Sequence, residues 1–190
     1  HTSRHEVAQV SLDGVIEWPL STPMESGVYK KKEEFNPTSV AVAPNGDLFV
    51  ADGYGQSFVH QFDKDRKWIR SIGGGGAEPG KMRTPHGVAV VTRAGKTTLF
   101  VADRENHRLQ EFSLDGKHVQ VISEGLRRPC SVAQRGDDLV VADLEGRVTV
   151  LGKDNKVVCH LGDNPDPAKR ANNGVPMEQW QDGFFTSPHF

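Results

Sequence analysis

The sequence predicts an all-β fold of repeated four-stranded units, the arrangement of propeller blades, and three observations carry that reading. The first is a recurring phrase: a proline, a small or polar residue, an apolar strand, a turn, a strand ending in Val-Ala-Asp, and a further strand ending in Phe or Leu. It runs over residues 37–42, 48–52 and 59–62, again over 85–90, 99–103 and 109–112, and again over 129–133, 139–143 and 148–151, and it restarts at Pro188-His189-Phe190. A period of roughly 40–60 residues with about four strand-like segments is the signature of propeller blades. The second observation is alternation of apolar and polar residues over short runs, with no long window keeping the spacing of an amphipathic helix. The third is turn chemistry between the runs, as at Pro44-Asn45-Gly46, Asp115-Gly116 and Asp154-Asn155, where Asn-Gly and Asp-Gly supply the positive φ angles of tight antiparallel hairpins.

Taken in order, residues 1–190 read as one β-propeller domain. Residues 1–35 are a partial blade whose last strands fall in 5–20, because Leu12-Asp13-Gly14 matches Leu114-Asp115-Gly116 between a third and a fourth strand. Blades follow over about 36–80, 81–125 and 126–165, and 166–190 begins another. Connections are expected at 71–84, around Gly73-Gly-Gly-Gly76, and at 162–186, which is rich in Asn, Pro and Asp. About four blades are visible, and a complete ring is expected to have six, so the chain reads as a piece of a larger ring.

Composition narrows the function classes. The 190 residues are 36% hydrophobic with a net charge of −2, as expected of a soluble domain with a sizeable core. No basic stripe favours nucleic acid, and Lys30-Lys-Lys32 opens what reads as a solvated loop. The apolar runs are strand length, far below the roughly 20 residues of a membrane span, and no signal segment opens the chain. Cys130 and Cys159 lie in one repeat and read as two buried thiols rather than a disulfide.

Asp52, Asp103 and Asp143 recur at one repeat position, as a structural carboxylate accepting backbone N–H groups at a strand end would. The informative residues are those that break the repeat. After the repeat proline stand Thr38, His86, Cys130 and His189 in turn. Equivalent positions of blades lie on one ring, so His86 and His189 are expected to face one channel and share a metal. With a third histidine from a blade upstream of His1, three ligands would match the protein-ligand count of a catalytic zinc. Tyr54 and Arg104 each follow a repeat Asp in one unit alone, at the strand end that can reach the channel. A tyrosine near a metal can act as a base, and an arginine can hold a carboxylate with two bonds. The competing reading makes all four ordinary channel-lining or surface residues.

These residues resemble those of a known family. Asn36-Pro-Thr-Ser-Val-Ala-Val42, Asp52-Gly-Tyr-Gly-Gln-Ser57, Pro85-His86 and Val101-Ala-Asp-Arg-Glu-Asn106 are similar to the NHL-repeat propeller of peptidyl-α-hydroxyglycine α-amidating lyase, most densely over 36–112 and again at Pro188-His189. The resemblance implies a channel zinc held by three Pro-His histidines, of which His86 and His189 match the second and third and the first would precede His1. It implies Tyr54 as the catalytic base and Arg104 as the active-site arginine. The implied substrate is a peptide or small amide ending in α-hydroxyglycine, cleaved at the carbinolamide N–C bond to an amide and glyoxylate, and the animal enzymes work in the secretory lumen.

The chain also departs from that family. The animal disulfide cysteines are absent, and the family's calcium-binding Asp after the third histidine is Phe190 here, which argues against calcium. Two other readings stand beside the lyase. One is a non-catalytic NHL propeller that binds a protein or another ligand. The other is a lactonase-type hydrolase, which would require acidic and amide calcium ligands that the matching positions lack.

Overall fold

A computed structural model describes residues 2–170 and 176–189, so Phe190, the residue at the calcium position, lies outside the described residues. Among the described residues the chain forms fourteen strands in four sheets, with one-turn 3-10 segments between them. The first sheet is the hairpin β1 (Val7–Val10) and β2 (Ile16–Leu20). Three four-stranded sheets follow, each in plain chain order. They are β3 (Ser39–Val42), β4 (Leu48–Ala51), β5 (Phe58–Phe62) and β6 (Trp68–Gly73); β7 (Pro85–Arg93), β8 (Lys96–Asp103), β9 (Arg108–Ser113) and β10 (His118–Ile122); and β11 (Pro129–Arg135), β12 (Asp138–Asp143), β13 (Arg147–Leu151) and β14 (Val157–Leu161). The chain divides into two compact units, His1–Val88 and Ala89–Phe190, with the boundary inside β7.

One turn recurs in half of these hairpins. Between β1 and β2, β3 and β4, β5 and β6, β9 and β10, and β13 and β14, a three-residue loop is closed by two backbone hydrogen bonds of 2.8–3.0 Å. The last loop residue is left-handed in each: Gly14, Gly46, Arg66, Gly116 and Asn155, with φ of 80°, 89°, 67°, 85° and 62°. The Asn-Gly and Asp-Gly signals thus mark a type I turn with one left-handed residue, which needs positive φ only at the glycine. Strand β6 continues to Gly73, so the expected connection at 71–84 begins three residues later.

Alternation sets what each unit buries. In the first, Leu20, Tyr29, Phe35, Leu48, Val50 and Phe62 form the core, with Trp18 and Trp68 against it. In the second, Val91, Phe100, Leu109, Val132, Leu139, Val141 and Leu151 do so. The second strand of a repeat is the most buried: all of β4 and the 98–103 part of β8 exclude solvent. That burial is why a carboxylate at its end must be fully satisfied.

Asp52, Asp103 and Asp143 are each 0% exposed. Asp52 accepts the backbone N–H groups of Asn36 and Gln56, both at 2.6 Å, and the Tyr29 hydroxyl at 2.7 Å. Asp143 accepts the N–H groups of Arg127 and Arg128 at 3.1 and 3.0 Å, together with the Thr149 hydroxyl and Arg147 Nε. Asp103 accepts from the side chains of Asn106, Arg108 and Gln110. The carboxylate therefore joins the segment before the sheet, the turn after the second strand, or the third strand, according to the repeat.

The first unit solves this with neutral groups. His60, at the repeat position of Gln110 and Thr149, meets the Tyr29 hydroxyl through Nε2 at 2.7 Å and Ser71 Oγ through Nδ1 at 3.0 Å. Burial lowers the His60 pKa from 6.5 to about 4. Burial, then the Asp52 charge, pushes the Tyr29 phenol up, and burial raises Asp52 against its hydrogen bonds from Gln56, Tyr29 and Asn36. Because the folded value of His60 lies below the unfolded one, the stability carried by its neutral form is complete above pH 6.5 and lost as pH falls toward about 4. Replacing His60 with Gln, the residue of the next repeat, is expected to flatten that decline, as thermal unfolding across the window will show. Asp143→Ala, which removes the acceptor of the Arg127 and Arg128 backbone N–H groups, is expected to cost about 1–3 kcal/mol in denaturant titrations.

Candidate metal centre and active-site residues

In the first unit the Asp-Gly-Tyr-Gly segment puts Tyr54 against His86. Its glycines are there for space. A Cβ on Gly53 would stand 2.5 Å from the Pro85 carbonyl oxygen and 2.7 Å from Thr38 Oγ1, and one on Gly55 would collide with the Asp52 carboxylate and the Glu34 carbonyl. The chain leaving β4 can therefore pass directly over the start of β7, where Thr38 also donates to the Pro85 carbonyl at 2.9 Å. The Tyr54 backbone N–H is held by the Asn36 carbonyl at 3.2 Å. Its hydroxyl then lies 3.0 Å from His86 Nε2, with the rings edge to face at 5.6 Å between centroids. His86 is 2% exposed and Tyr54 49%, so a buried imidazole meets a phenol that solvent can reach.

In the second unit the Ala-Asp-Arg-Glu-Asn segment builds a charged cluster. A 3-10 turn, Arg104–Asn106, follows Asp103 directly and ends at His107, which is left-handed. Asn106 ties this turn to both Asp103 oxygens at 3.0 and 2.9 Å. Glu105 accepts Arg104 Nε at 2.8 Å and an Arg128 nitrogen at 2.7 Å. Burial alone would raise Glu105, but hydrogen bonds from Arg128 and Arg104 outweigh it and hold the carboxyl below its usual range. Arg104 also hydrogen-bonds Cys130, the residue after the proline that opens β11. Cys130 is 0% exposed, and burial raises its thiol against the pull of Arg104. His189 is half-buried, and burial, then the Arg104 charge, lowers its pKa from the ordinary value. A ring nitrogen of His189 and Cys130 Sγ lie within 4.8 Å of each other.

Tyr54 and His86 are thus brought together in one unit, and Arg104 and His189 in the other. Neither cysteine is in a disulfide, as expected, but Cys159 is exposed rather than buried. It belongs to β14, the last strand of its sheet, where an outward residue meets solvent. Sequence reasoning missed the Glu105 clamp on Arg104 and Arg128 and gave Cys130 no part in the site. The signal for Cys130 was its place in the series Thr38, His86, Cys130, His189.

Known proteins resemble this chain in sequence and in fold. The NHL repeat family model matches residues 82–112, which cover β7, β8 and all but the last residue of β9. Over 86 residues, 43% of this chain and 9% of the relative, the sequence is 43% identical to peptidyl-glycine alpha-amidating monooxygenase of Mus musculus. Over 79 residues, 40% of this chain and 22% of the relative, it is 40% identical to a probable peptidyl-alpha-hydroxyglycine alpha-amidating lyase of Caenorhabditis elegans. The matched segments thus span less than a quarter of these relatives. A streptogramin B lyase structure superposes on 89% of this chain and 51% of its own with a TM-score of 0.65 at 13% identity, a likeness of fold. The chain is all-β, with an NHL-type β-propeller fold. Within that class it resembles the peptidyl-α-hydroxyglycine α-amidating lyases.

The two thiols are expected to differ in reactivity. In native, metal-free protein iodoacetamide should modify Cys159 rapidly and Cys130 only after denaturation, as peptide mass spectrometry of the alkylated chain will show.

Proposed function

We propose that this propeller is a zinc-dependent lyase, cleaving the carbinolamide N–C bond of a peptidyl-α-hydroxyglycine to a peptide amide and glyoxylate, the lyase activity being the one named for the Caenorhabditis elegans relative. The observation that carries the reading is the 3.0 Å approach of the Tyr54 hydroxyl to His86, made by the same Asp-Gly-Tyr and Pro-His segments that resemble the lyases. His86 and His189, equivalent in the repeat, would hold the metal, and their imidazoles suit zinc. A zinc ion there would supply Lewis-acid polarisation of the substrate's hydroxyl oxygen.

The chain's own residues have separate tasks. Tyr54, half exposed and within hydrogen-bond reach of an imidazole, would act as a phenolate, its own proton having gone to solvent, and take the proton of the substrate hydroxyl. As that O–H bond breaks, the carbon–oxygen bond becomes the glyoxylate carbonyl. The C–N electron pair then leaves on nitrogen, which takes that proton back from the Tyr54 hydroxyl to become the amide, leaving Tyr54 as it began. Arg104 is aimed by Glu105 and presents a planar cation to the glycine-derived carboxylate, whose two oxygens match its paired donors.

Tyr54→Phe keeps the ring and removes the hydroxyl, so it is expected to abolish most turnover while zinc content stays constant. Arg104→Ala should lower turnover mainly through a higher KM, and Arg104→Lys should rescue little, because a point charge cannot copy a planar fork. The assay is glyoxylate release from an α-hydroxyglycine-extended peptide by the zinc-loaded full-length protein, with and without chelator. No glyoxylate at any zinc concentration would overturn the lyase reading and favour a propeller that binds a protein or another ligand.

A further inference from the structure

Resting on the zinc-site reading above, we propose that Cys130 is itself a metal ligand, supplying a thiolate beside the imidazole of His189. Three observations support it. Cys130 occupies the position that His86 and His189 hold in their own repeats, directly after the repeat proline. Its sulfur and a His189 ring nitrogen lie within 4.8 Å. A tetrahedral zinc, with bonds of about 2.3 Å to sulfur and about 2.0–2.1 Å to nitrogen, sets such a pair roughly 3.6 Å apart, inside that limit. The third observation is the surroundings. A buried cysteine of purely structural use sits among apolar groups, whereas Arg104 hydrogen-bonds this sulfur and Arg128 and Glu105 act on it electrostatically.

The same cluster explains how a buried thiolate would be tolerated. Metal binding releases the thiol proton to solvent, and the negative sulfur left behind is balanced by the metal and by the Arg104 guanidinium. Arg104 would then have two neighbours to serve, the sulfur and the substrate carboxylate, with Glu105 keeping its plane in place. A sulfur donor also biases the site toward zinc and softer metals over magnesium, calcium or manganese, which favour oxygen ligands.

X-ray absorption at the zinc edge of the zinc-loaded full-length protein tests this. One sulfur at about 2.3 Å is expected beside nitrogen or oxygen at about 2.0–2.1 Å, with a sulfur-to-metal charge-transfer band in the cobalt-substituted protein. Cys159→Ser should keep both signals. Cys130→Ser should lose both and weaken zinc binding more than the roughly 10–100-fold that loss of an outer hydrogen-bond partner costs. If Cys130→Ser does not fold, Cys130→His, which restores the ligand type of the equivalent positions, should retain zinc without the sulfur signal. A shell of nitrogen and oxygen alone, a sulfur signal that survives in the folded Cys130 variant, or failure to bind zinc would each overturn the proposal. The two readings separate cleanly: glyoxylate release with no sulfur in the shell removes Cys130 and leaves the lyase, whereas a sulfur shell without glyoxylate release supports Cys130 as ligand and removes the lyase.

Discussion

A buried carboxylate at the end of the second strand is the constraint on which each repeat depends. Asp52, Asp103 and Asp143 have no solvent to hydrate them, and an unsatisfied charge in that place would cost more than the burial of a large side chain returns. Each is therefore encircled by donors from neighbouring segments: Asn36 and Gln56 for Asp52, Asn106, Arg108 and Gln110 for Asp103, and Arg127, Arg128, Arg147 and Thr149 for Asp143. Satisfying the charge fixes the path of the chain as it leaves the strand.

The site residues inherit their positions from that path. Arg104 is the residue after Asp103, and Tyr54 is two after Asp52, so each is aimed by the turn its aspartate organises. In the first unit the turn is tightened by glycines on both sides of Tyr54, where any side chain would strike the Pro85 carbonyl or the Asp52 carboxylate. In the second, Asn106 closes the turn on Asp103 and Glu105 holds the guanidinium. Scaffold and candidate chemistry thus share one anchor, and the residues that break the repeat do so beside the residues that keep it.

The repeats answer the same electrostatic demand differently. Asp103 and Asp143 face arginines, Arg108 at 2.7 Å and Arg147 at 3.3 Å, both nearly buried. Asp52 is served by backbone amides and the Tyr29 hydroxyl, with His60 kept neutral behind it. Pairing with a cation suits a wide range of pH, whereas a neutral imidazole in an apolar setting makes the first unit sensitive to acid.

The repeat phrase and its turns were enough to give the strand order, the all-β class and the identity of the recurrent carboxylates, because these depend on alternation and local φ preferences that a sequence displays directly. Tyr54, Arg104, His86 and His189 stood out as candidates for the same reason, as departures from a period. What the sequence could not display was side-chain company. The Tyr29, His60 and Ser71 network joins residues from three separate segments, and the Glu105 clamp reaches Arg128 across 23 residues. Whether a cysteine is buried or exposed depends on what packs over its strand: β11 and β14 are the two edge strands of one sheet, yet Cys130 is buried and Cys159 exposed. Period and turn chemistry are properties of neighbours along the chain, so the sequence determined them. The company of Cys130 is set by packing between distant segments, and only the tertiary structure decided it.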